Sequence, residues 1–394
     1  MSDHNSNSRG ELDLSVYREE APEHAELEDL SRIPADEQRL LRMTGVDPEG
    51  KERSGSFFQK DHSVVHCRSQ FDGAEILSAS VARDKYEGLT EYWGKAVPVG
   101  KDVYTKRAEE HQEHGYFIRS LPGAKVHYPL QACLYLTEDK LAQDVHNIII
   151  AEEGSTLNVI TGCATSPQVR SGLHVGVSEF YVKKGATLSF TMIHNWAEDM
   201  AVRPRTGIVV EEGGTFISNY ICLMPAKDLQ MYPTATLVGE GAVATFNSVL
   251  LASPGSYMDV GARVILKEKG CRAEIISRTV STGGSIIARG DLVGEKPGIR
   301  AHLECKGLLL SDEGFIHAIP ELKGKAANLE MSHEAAVGKI AREEVEFLMA
   351  RGLSEDEATS LIIKGFLSLD IVGLPEELKA ELDRMIQETD AEAM

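Results

Sequence analysis

The sequence repeats Glu152-Glu153-Gly154-Ser155-Thr156-Leu157 as Lys183-Lys184-Gly185-Ala186-Thr187-Leu188 and again as Glu211-Glu212-Gly213-Gly214-Thr215-Phe216. Two further copies follow, Gly239-Glu240-Gly241-Ala242-Val243-Ala244 and Glu268-Lys269-Gly270-Cys271-Arg272-Ala273. In each copy a charged turn ends in glycine before a strand-like segment. The third-position glycines recur at a nearly fixed interval. A regular period between about 20 and 50 residues is typical of solenoid proteins.

The content of each repeat identifies the kind of solenoid. Val, Ile, Thr and Phe alternate with polar residues at period two, which predicts strands. Each coil would then cover the edge of its neighbour and continue the apolar interior. An antiparallel sandwich is the alternative, but its hairpin turns should recur about every 8 to 12 residues. The sequence therefore favours a mainly β protein with a parallel β-helix core.

Helices are predicted on both sides of this core. Pro34 opens one helix that stops near Gly45, residues 85–93 are a further candidate, and residues 125–128 read as a strand. A later helix over 340–351 ends at Gly352, and Ser354 with Glu357 forms a capping box ahead of the next. A last helix is expected over 375–387. We therefore expect an N-terminal helical region with a disordered start (1–74), the β-helix (75–335) and a C-terminal helical domain (336–394).

The charge balance restricts the partners. The 394 residues include 61 acidic against 41 basic side chains, a formal charge of −20. Such a field repels nucleic acid and anionic membrane surfaces. The chain has no run near the ~18 to 20 apolar residues of a membrane span, and its first residues lack a signal-peptide core. We expect a cytoplasmic protein that binds neither nucleic acid nor membrane.

Local motifs exclude several chemistries. Even the closest cysteines in the sequence are separated by about one full repeat, so the chain lacks a zinc knuckle and a ferredoxin-type cluster loop. Phosphate-binding loop, nucleophile-elbow and zincin motifs are also absent. In a reducing cytoplasm we expect free thiols. The cysteines are Cys67, Cys133, Cys163, Cys222, Cys271 and Cys305.

One cluster near the end of the repeats could carry chemistry. Cys305 and Glu334 are separated by almost one repeat, and His333 precedes Glu334. In a solenoid, residues one period apart stack on neighbouring coils, so Cys305 and Glu334 could lie side by side. Thiolate, imidazole and carboxylate can together hold iron, and Lys306 would raise the thiolate fraction. A buried cysteine beside a surface His-Glu pair is the alternative reading.

Several blocks together resemble one family. From about residue 145 to 370 the chain is similar to the SufB/SufD family, and most similar to its shorter archaeal SufB-like members. The blocks are Ile160-Thr161-Gly162-Cys163, His194-Asn195-Trp196, Gly290-Asp291-Leu292, Glu304-Cys305, Ser332-His333-Glu334-Ala335 and Arg351-Gly352-Leu353-Ser354-Glu355-Asp356-Glu357-Ala358.

The resemblance implies a right-handed β-helix and an assembly scaffold for iron–sulfur clusters without catalytic residues of its own. It implies that Cys305 and Glu334 bind the cluster with His333 beside them, and that Cys163 accepts persulfide sulfur. His194 stands where longer members have Gln. The core subunit would pair with a second copy of itself or a SufD-like paralogue.

The resemblance also implies that the C-terminal domain binds the ABC-type ATPase SufC, where ATP would be hydrolysed. Phe366 and Leu367 are the candidate docking residues. Two other functions remain open: an adaptor that carries no cluster, and a carbohydrate-active β-helix enzyme. Such an enzyme needs paired carboxylates on one outer face, and no Asp-rich ladder recurs with the period.

Overall fold

The glycine turns of the repeats stack on one another in the structure, a computed structural model that describes residues 12–224 and 226–367. All five predicted glycines have φ between 62° and 69°, a region that side chains disfavour. Gly154 donates its N–H to Lys184 O at 2.9 Å, and Gly185 donates to Glu212 O at 2.8 Å. Gly213 and Gly241 donate to the next turn in the same way, so the turns are hydrogen-bonded in series from Gly154 to the turn at Gly270.

The expected fold class is confirmed: the chain forms a β-solenoid of about eight turns, with 48% strand and 16% helix. Strands β1 to β11 are Gly55–Lys60, Ser63–Ser69, Ala74–Ser78, Tyr116–Ser120, Leu130–Leu136, Leu141–Ala151, Thr156–Thr165, Ser171–Val182, Thr187–Asn195, Asp199–Val202 and Arg205–Val210. Strands β12 to β21 are Thr215–Cys222, Asp228–Met231, Thr234–Leu237, Val243–Ala252, Tyr257–Leu266, Arg272–Ser281, Ser285–Gly294, Arg300–Leu309, Phe315–Gly324 and Glu330–Gly338.

Two sheets form the walls of the solenoid. Sheet 1 has the order β2-β1-β5-β7-β9-β12-β15-β17-β19-β21. Sheet 2 contains β3, β4, β6 and β8, then β10, β11, β13, β14, β16, β18 and β20. Neighbouring strands are parallel except at the start, where β1 pairs with β2 and β3 with β4 in antiparallel fashion. The antiparallel sandwich is therefore wrong as a description of this fold.

Alternation along each strand separates an inner from an outer face. Inward side chains from the two sheets meet in one continuous apolar core, in which the rings of Phe180 and Phe190 have centroids 4.6 Å apart. The outer faces are covered in part by the N-terminal residues, whose Leu30, Ile33 and Leu41 are buried against sheet 1.

The helices are α1 to α5: Ala35–Met43, Ala79–Lys85, Val103–Glu110, Arg342–Met349 and Glu355–Leu367. Short 3₁₀ turns span Leu14–Val16, Leu30–Arg32 and Glu87–Glu91. The first predicted helix is confirmed as α1. The capping box is confirmed as well, since Glu357 N donates to Ser354 Oγ at 3.2 Å. The helical candidate over 85–93 is confirmed only as a 3₁₀ turn at Glu87–Glu91, since α2 ends at Lys85. The strand over 125–128 reduces to one bridge between Lys125 and Thr156.

The sheets extend from Gly55 to Gly338, slightly beyond the expected core of 75–335, whose boundaries stay a prediction. The predicted helix over 375–387 and the start of the chain before Leu12 lie outside the described residues. Within the described residues, β20 pairs only with β18 and β21 only with β19, so the solenoid ends in two open edges. In the same part of the chain, no helix is long and apolar enough to span a membrane.

Candidate functional site

Cys305 lies on the inner face of β19, one coil below the open end of the solenoid. Its register partners are Ser277 on β17 and Ala335 on β21. It lies two positions after Leu303, on the same inward face, and is 2% exposed. The thiol therefore belongs to the last closed layer of the interior.

Glu334 lies on the neighbouring strand but on the other face of the sheet. Its register partner is Glu304 rather than Cys305, and its side chain is 56% exposed. Lys306 Nζ lies 3.1 Å from the Glu334 carboxylate and 3.2 Å from that of Glu304. The expectation that Cys305 and Glu334 lie side by side is correct for their strands and wrong for their side chains. Their role as cluster ligands stays a prediction.

The thiol of Cys305 is a weak acid in this position. Burial raises the pKa of Cys305 to about 11, the charge of Glu304 adds to the effect, and Arg278 opposes it. The expectation that Lys306 raises the thiolate fraction is wrong, because Lys306 is on the outer face and paired with two carboxylates. Deprotonation of Cys305 would therefore need a metal ion or a nearby proton acceptor.

His333 shares the inner face with Cys305. It is in register with Leu303, two positions from the partner of Cys305, and it is exposed because β21 is the last strand of sheet 1. Across residues 12–224 and 226–367, no group of three or more His, Cys, Asp or Glu could hold a metal ion. The donors among these described residues of one chain are thus the right types for iron but too few. They would fit a cluster only if a second subunit supplied the remaining ligands.

A second set of functional side chains lies deeper in the solenoid. Cys163 on β7, His194 on β9 and Cys222 on β12 are in register and point inward, with exposures of 1%, 2% and 0%. Tyr220 Oη is 2.9 Å from His194 Nδ1. The sequence predicts Cys222 only as a free thiol and does not single out Tyr220, so the place of both residues beside His194 is not foreseen.

The repeat contains the signal that would have found this row. Cys163, His194 and Cys222 each follow a turn glycine of the repeat at the same offset, the glycines being Gly154, Gly185 and Gly213. Because the glycines stack, residues at one offset from them also stack. The same offset in three consecutive coils therefore predicts one row along the solenoid axis.

A line of polar inner side chains continues from this row towards Cys305. Tyr220 is in register with Ser248, Ser248 with Ser277 and Ser277 with Cys305. Ser248 Oγ donates to Ser277 Oγ at 3.1 Å. Five strand spacings separate the coil of Cys163 from that of Cys305, about 24 Å at ~4.8 Å each. The interior is thus polar along one line between these two thiols.

The candidate docking residues lie against the β-solenoid. Phe366 and Leu367 are partly buried and pack against the apolar cluster on the outer face of sheet 1, and the Arg278 guanidinium is 5.8 Å from the Phe366 ring centroid. Elsewhere on the C-terminal helices, Phe347 on α4 is 57% exposed and Leu361 on α5 is 51% exposed. The docking role of Phe366 and Leu367 stays a prediction.

The chain is thus a parallel β-solenoid whose interior holds thiol, imidazole and hydroxyl side chains in rows, with its last coil open. The family model described as "SUF system FeS cluster assembly, SufBD core domain" matches residues 134–366. The chain therefore belongs to the SufBD family of iron–sulfur cluster assembly proteins.

Curated relatives agree with this assignment. A protein named iron-sulfur cluster assembly SufBD family protein from Methanothermobacter thermautotrophicus is 51% identical over 382 residues, which cover 95% of this chain and 93% of the relative. One of the same name from Archaeoglobus fulgidus is 52% identical over 355 residues, covering 90% and 95%. A relative from Staphylococcus epidermidis is 31% identical over 389 residues, covering 96% and 83%.

Proposed function

We propose that this protein is a scaffold subunit of a SUF-type complex, on which an iron–sulfur cluster is assembled at the interface of two subunits. It acts without catalytic turnover of its own, in the cytoplasm. A SufC-type ABC ATPase is its partner and hydrolyses the ATP. Membership of an iron–sulfur cluster assembly family supports the role in cluster assembly. The open end of the solenoid supports a cluster site at the interface of two subunits.

The position of Cys305 is the observation that carries this proposal. The thiol lies one strand from the free edge of sheet 1, and His333 on that edge strand shares its face. A cluster usually takes about four protein ligands, which the described residues of one chain do not supply. A twofold interface between the open ends would bring two copies of Cys305, His333 and Glu334 to one axis. Glu334 would then meet the thiol across the interface rather than within its own chain.

The interior row supports a sulfur route to this site. Cys163 is the proposed sulfur acceptor, and hydroxyl side chains of Tyr220, Ser248 and Ser277 line the way to Cys305. A sulfane sulfur or hydrosulfide ion in an apolar core would lack hydrogen-bond partners. The line of hydroxyl side chains reduces this desolvation cost only along the path towards Cys305. It therefore favours delivery of the sulfur towards the open end of the solenoid.

The C-terminal helices support the ATPase partner. Helices α4 and α5 expose Phe347 and Leu361 beside charged side chains. Large apolar anchors with a polar rim are the usual composition of a specific protein interface. Removing residues 338–394 is expected to abolish co-purification with the ATPase and to leave the β-solenoid folded. Binding that survives this deletion would place the dock elsewhere.

Anaerobic reconstitution with ferrous iron and sulfide tests the cluster site. We expect a visible absorption band in the wild type, loss of the band in Cys305→Ser, and an unchanged dimer by light scattering. Cys67→Ser is the matched control, since Cys67 is an exposed thiol on β2 far from the open end, and it should keep the band. A colourless wild type that still binds the ATPase would favour the adaptor without a cluster.

A further inference from the structure

His194 is the one imidazole in the inner row of thiols, with Cys163 on one neighbouring strand and Cys222 on the other. Its Nδ1 is hydrogen-bonded to Tyr220. Its Nε2 is buried and has no hydrogen-bond partner among the described residues. A buried polar atom without a partner costs about 1 to 3 kcal/mol, so its position calls for an explanation.

Tyr220 connects the imidazole to the second thiol. Its hydroxyl lies against the side chain of Cys222 as well as 2.9 Å from His194 Nδ1, and the Cys222 thiol donates its own proton to Met224 O at 3.5 Å. When Tyr220 gives its single proton to the Cys222 sulfur, His194 must donate from Nδ1 to the Tyr220 oxygen. In this tautomer Nε2 carries the lone pair of the ring. The contacts of Tyr220 and Cys222 therefore leave His194 with a free proton acceptor.

We propose that His194 accepts the thiol proton of Cys163 when Cys163 takes up sulfane sulfur, and that Tyr220 and Cys222 hold the imidazole in the tautomer this requires. This inference rests on the proposed role of Cys163 as the sulfur acceptor. In the step, the proton moves from Cys163 Sγ to His194 Nε2. A sulfur–sulfur bond forms on Cys163 while one breaks in a polysulfide or persulfide donor, and the leaving sulfur departs as an anion.

The low polarity of the interior explains why a neighbouring acceptor is needed. Burial raises the pKa of Cys163, and burial together with His174 lowers the pKa of His194, so both groups rest neutral. A thiol that lost its proton to bulk water would leave an isolated charge in the core. Transfer to the adjacent ring keeps the net charge at zero. The other titratable groups facing His194 are Cys222 and Tyr220 from sheet 1 and His174 from sheet 2.

The test uses the full-length protein, inorganic polysulfide without oxygen, and peptide mass spectrometry to follow the gain of one sulfur atom by Cys163. General-base catalysis is worth about 100-fold at its lower limit. We therefore expect His194→Gln to be about 100-fold slower near pH 7, and we expect the wild-type rate to fall in D₂O because a proton moves to the imidazole in this step. Tyr220→Phe should be about tenfold slower. Met192→Leu, a volume-conserving change on the strand of His194, two positions before it, should match the wild type.

The outcomes separate this inference from the role on which it rests. A wild type that gains no sulfur at Cys163 would overturn the acceptor role and this inference with it. A wild type that gains sulfur, with His194→Gln equally fast, would overturn only the inference. A wild-type rate that is the same in H₂O and in D₂O, beside a slow His194→Gln, would show a packing effect and would also overturn it. If His194→Gln does not fold by circular dichroism, Tyr220→Phe decides, and an unchanged rate there would reject the proton acceptor.

Discussion

Cys305 and Glu334 lie on adjacent strands of sheet 1, and their side chains leave that sheet on opposite faces. Glu334 is in register with Glu304, the residue before Cys305, so the thiol faces the interior and the carboxylate faces outward. Within one subunit the two groups cannot face the same point. An iron ion that both contact would need the carboxylate of a second subunit.

This arrangement predicts different effects of the two carboxylates on the thiol. Glu304 raises the pKa of Cys305, whereas Glu334 has no part in that shift. Glu304→Gln should therefore lower the pKa of Cys305 from about 11 and speed its alkylation at mildly alkaline pH. Glu334→Gln is the matched control and should leave the rate unchanged. The pH dependence of Cys305 alkylation by iodoacetamide, followed by peptide mass spectrometry, measures both. Equal shifts in the two variants would show that Glu334 acts on the thiol as strongly as Glu304 does, contrary to this prediction.

The repeat could be read from the sequence because its turns need glycine at a fixed position. Its exact length at the candidate site could not, because the intervals between successive turn glycines are unequal. The register partner of Glu334 is Glu304, so this coil is one position longer than the separation of Cys305 and Glu334. A slip of a single position moves a side chain to the other face of a strand. The stacking of the two strands was therefore predictable, and the face was not.

The inner row of Cys163, His194 and Cys222 also shows which features the sequence predicts and which it does not. The stacking of Cys163, His194 and Cys222 follows from their common offset after the turn glycines. The hydrogen bond of Tyr220 to His194 joins different offsets on neighbouring coils and depends on side-chain rotamers. Rotamers depend on packing between the two sheets, and the period of the repeat does not determine that packing. The partial burial of Phe366 likewise depends on how α5 meets the outer face of sheet 1.

A buried ion pair between Arg203 and Asp228 should be among the more sensitive points of the fold. Arg203 is fully buried, and its Nη2 lies 2.9 Å from Asp228 Oδ2. Arg203→Met would leave a buried carboxylate without its partner, at a cost of about 3 to 5 kcal/mol in unfolding free energy. Lys227→Met removes an exposed pair with Asp199 and should cost less than about 1 kcal/mol. Denaturant unfolding of both variants measures the contrast, and equal losses would mean that Arg203 does not depend on this pair.

Glu179 should stabilise the fold in a pH-dependent way. Its buried carboxylate accepts hydrogen bonds from the N–H groups of Ala96 and Val97 and lies 2.8 Å from His146 Nε2. Burial raises its pKa, but the bonds from His146 and the backbone outweigh this and lower the pKa below its ordinary value. A carboxyl group of this kind contributes stability above its unfolded pKa of about 4.3, and the contribution is lost as the pH falls through the lower folded pKa.

We therefore expect Glu179→Gln to cost about 2 to 3 kcal/mol near pH 7 and progressively less below about pH 4. Glu211→Gln, which removes a partly exposed pair with Lys183, is the control and should cost less than about 1 kcal/mol. Urea unfolding over this pH range measures both. A cost of Glu179→Gln that stays constant from neutral to acid pH would show that the charge of Glu179 is not what stabilises the loop at Ala96.

The exposure of the two C-terminal phenylalanines predicts opposite effects on partner binding and on stability. Phe347 on α4 is 57% exposed, with the Arg351 guanidinium 3.4 Å from its ring centroid. Phe366 is partly buried against sheet 1. If the ATPase docks on the face that exposes Phe347, Phe347→Ser should weaken binding to the ATPase about 30-fold, which is the effect of losing a ~2 kcal/mol anchor. The unfolding free energy of this variant should stay within about 0.5 kcal/mol of the wild-type value. Phe366→Ala should instead cost about 2 kcal/mol of stability and keep binding at temperatures where the protein is folded.

Pull-down with the purified ATPase, beside thermal unfolding of each variant, measures both quantities. Loss of binding in folded Phe366→Ala, with Phe347→Ser unaffected, would return the docking surface to Phe366 and require α5 to leave sheet 1 when the partner binds.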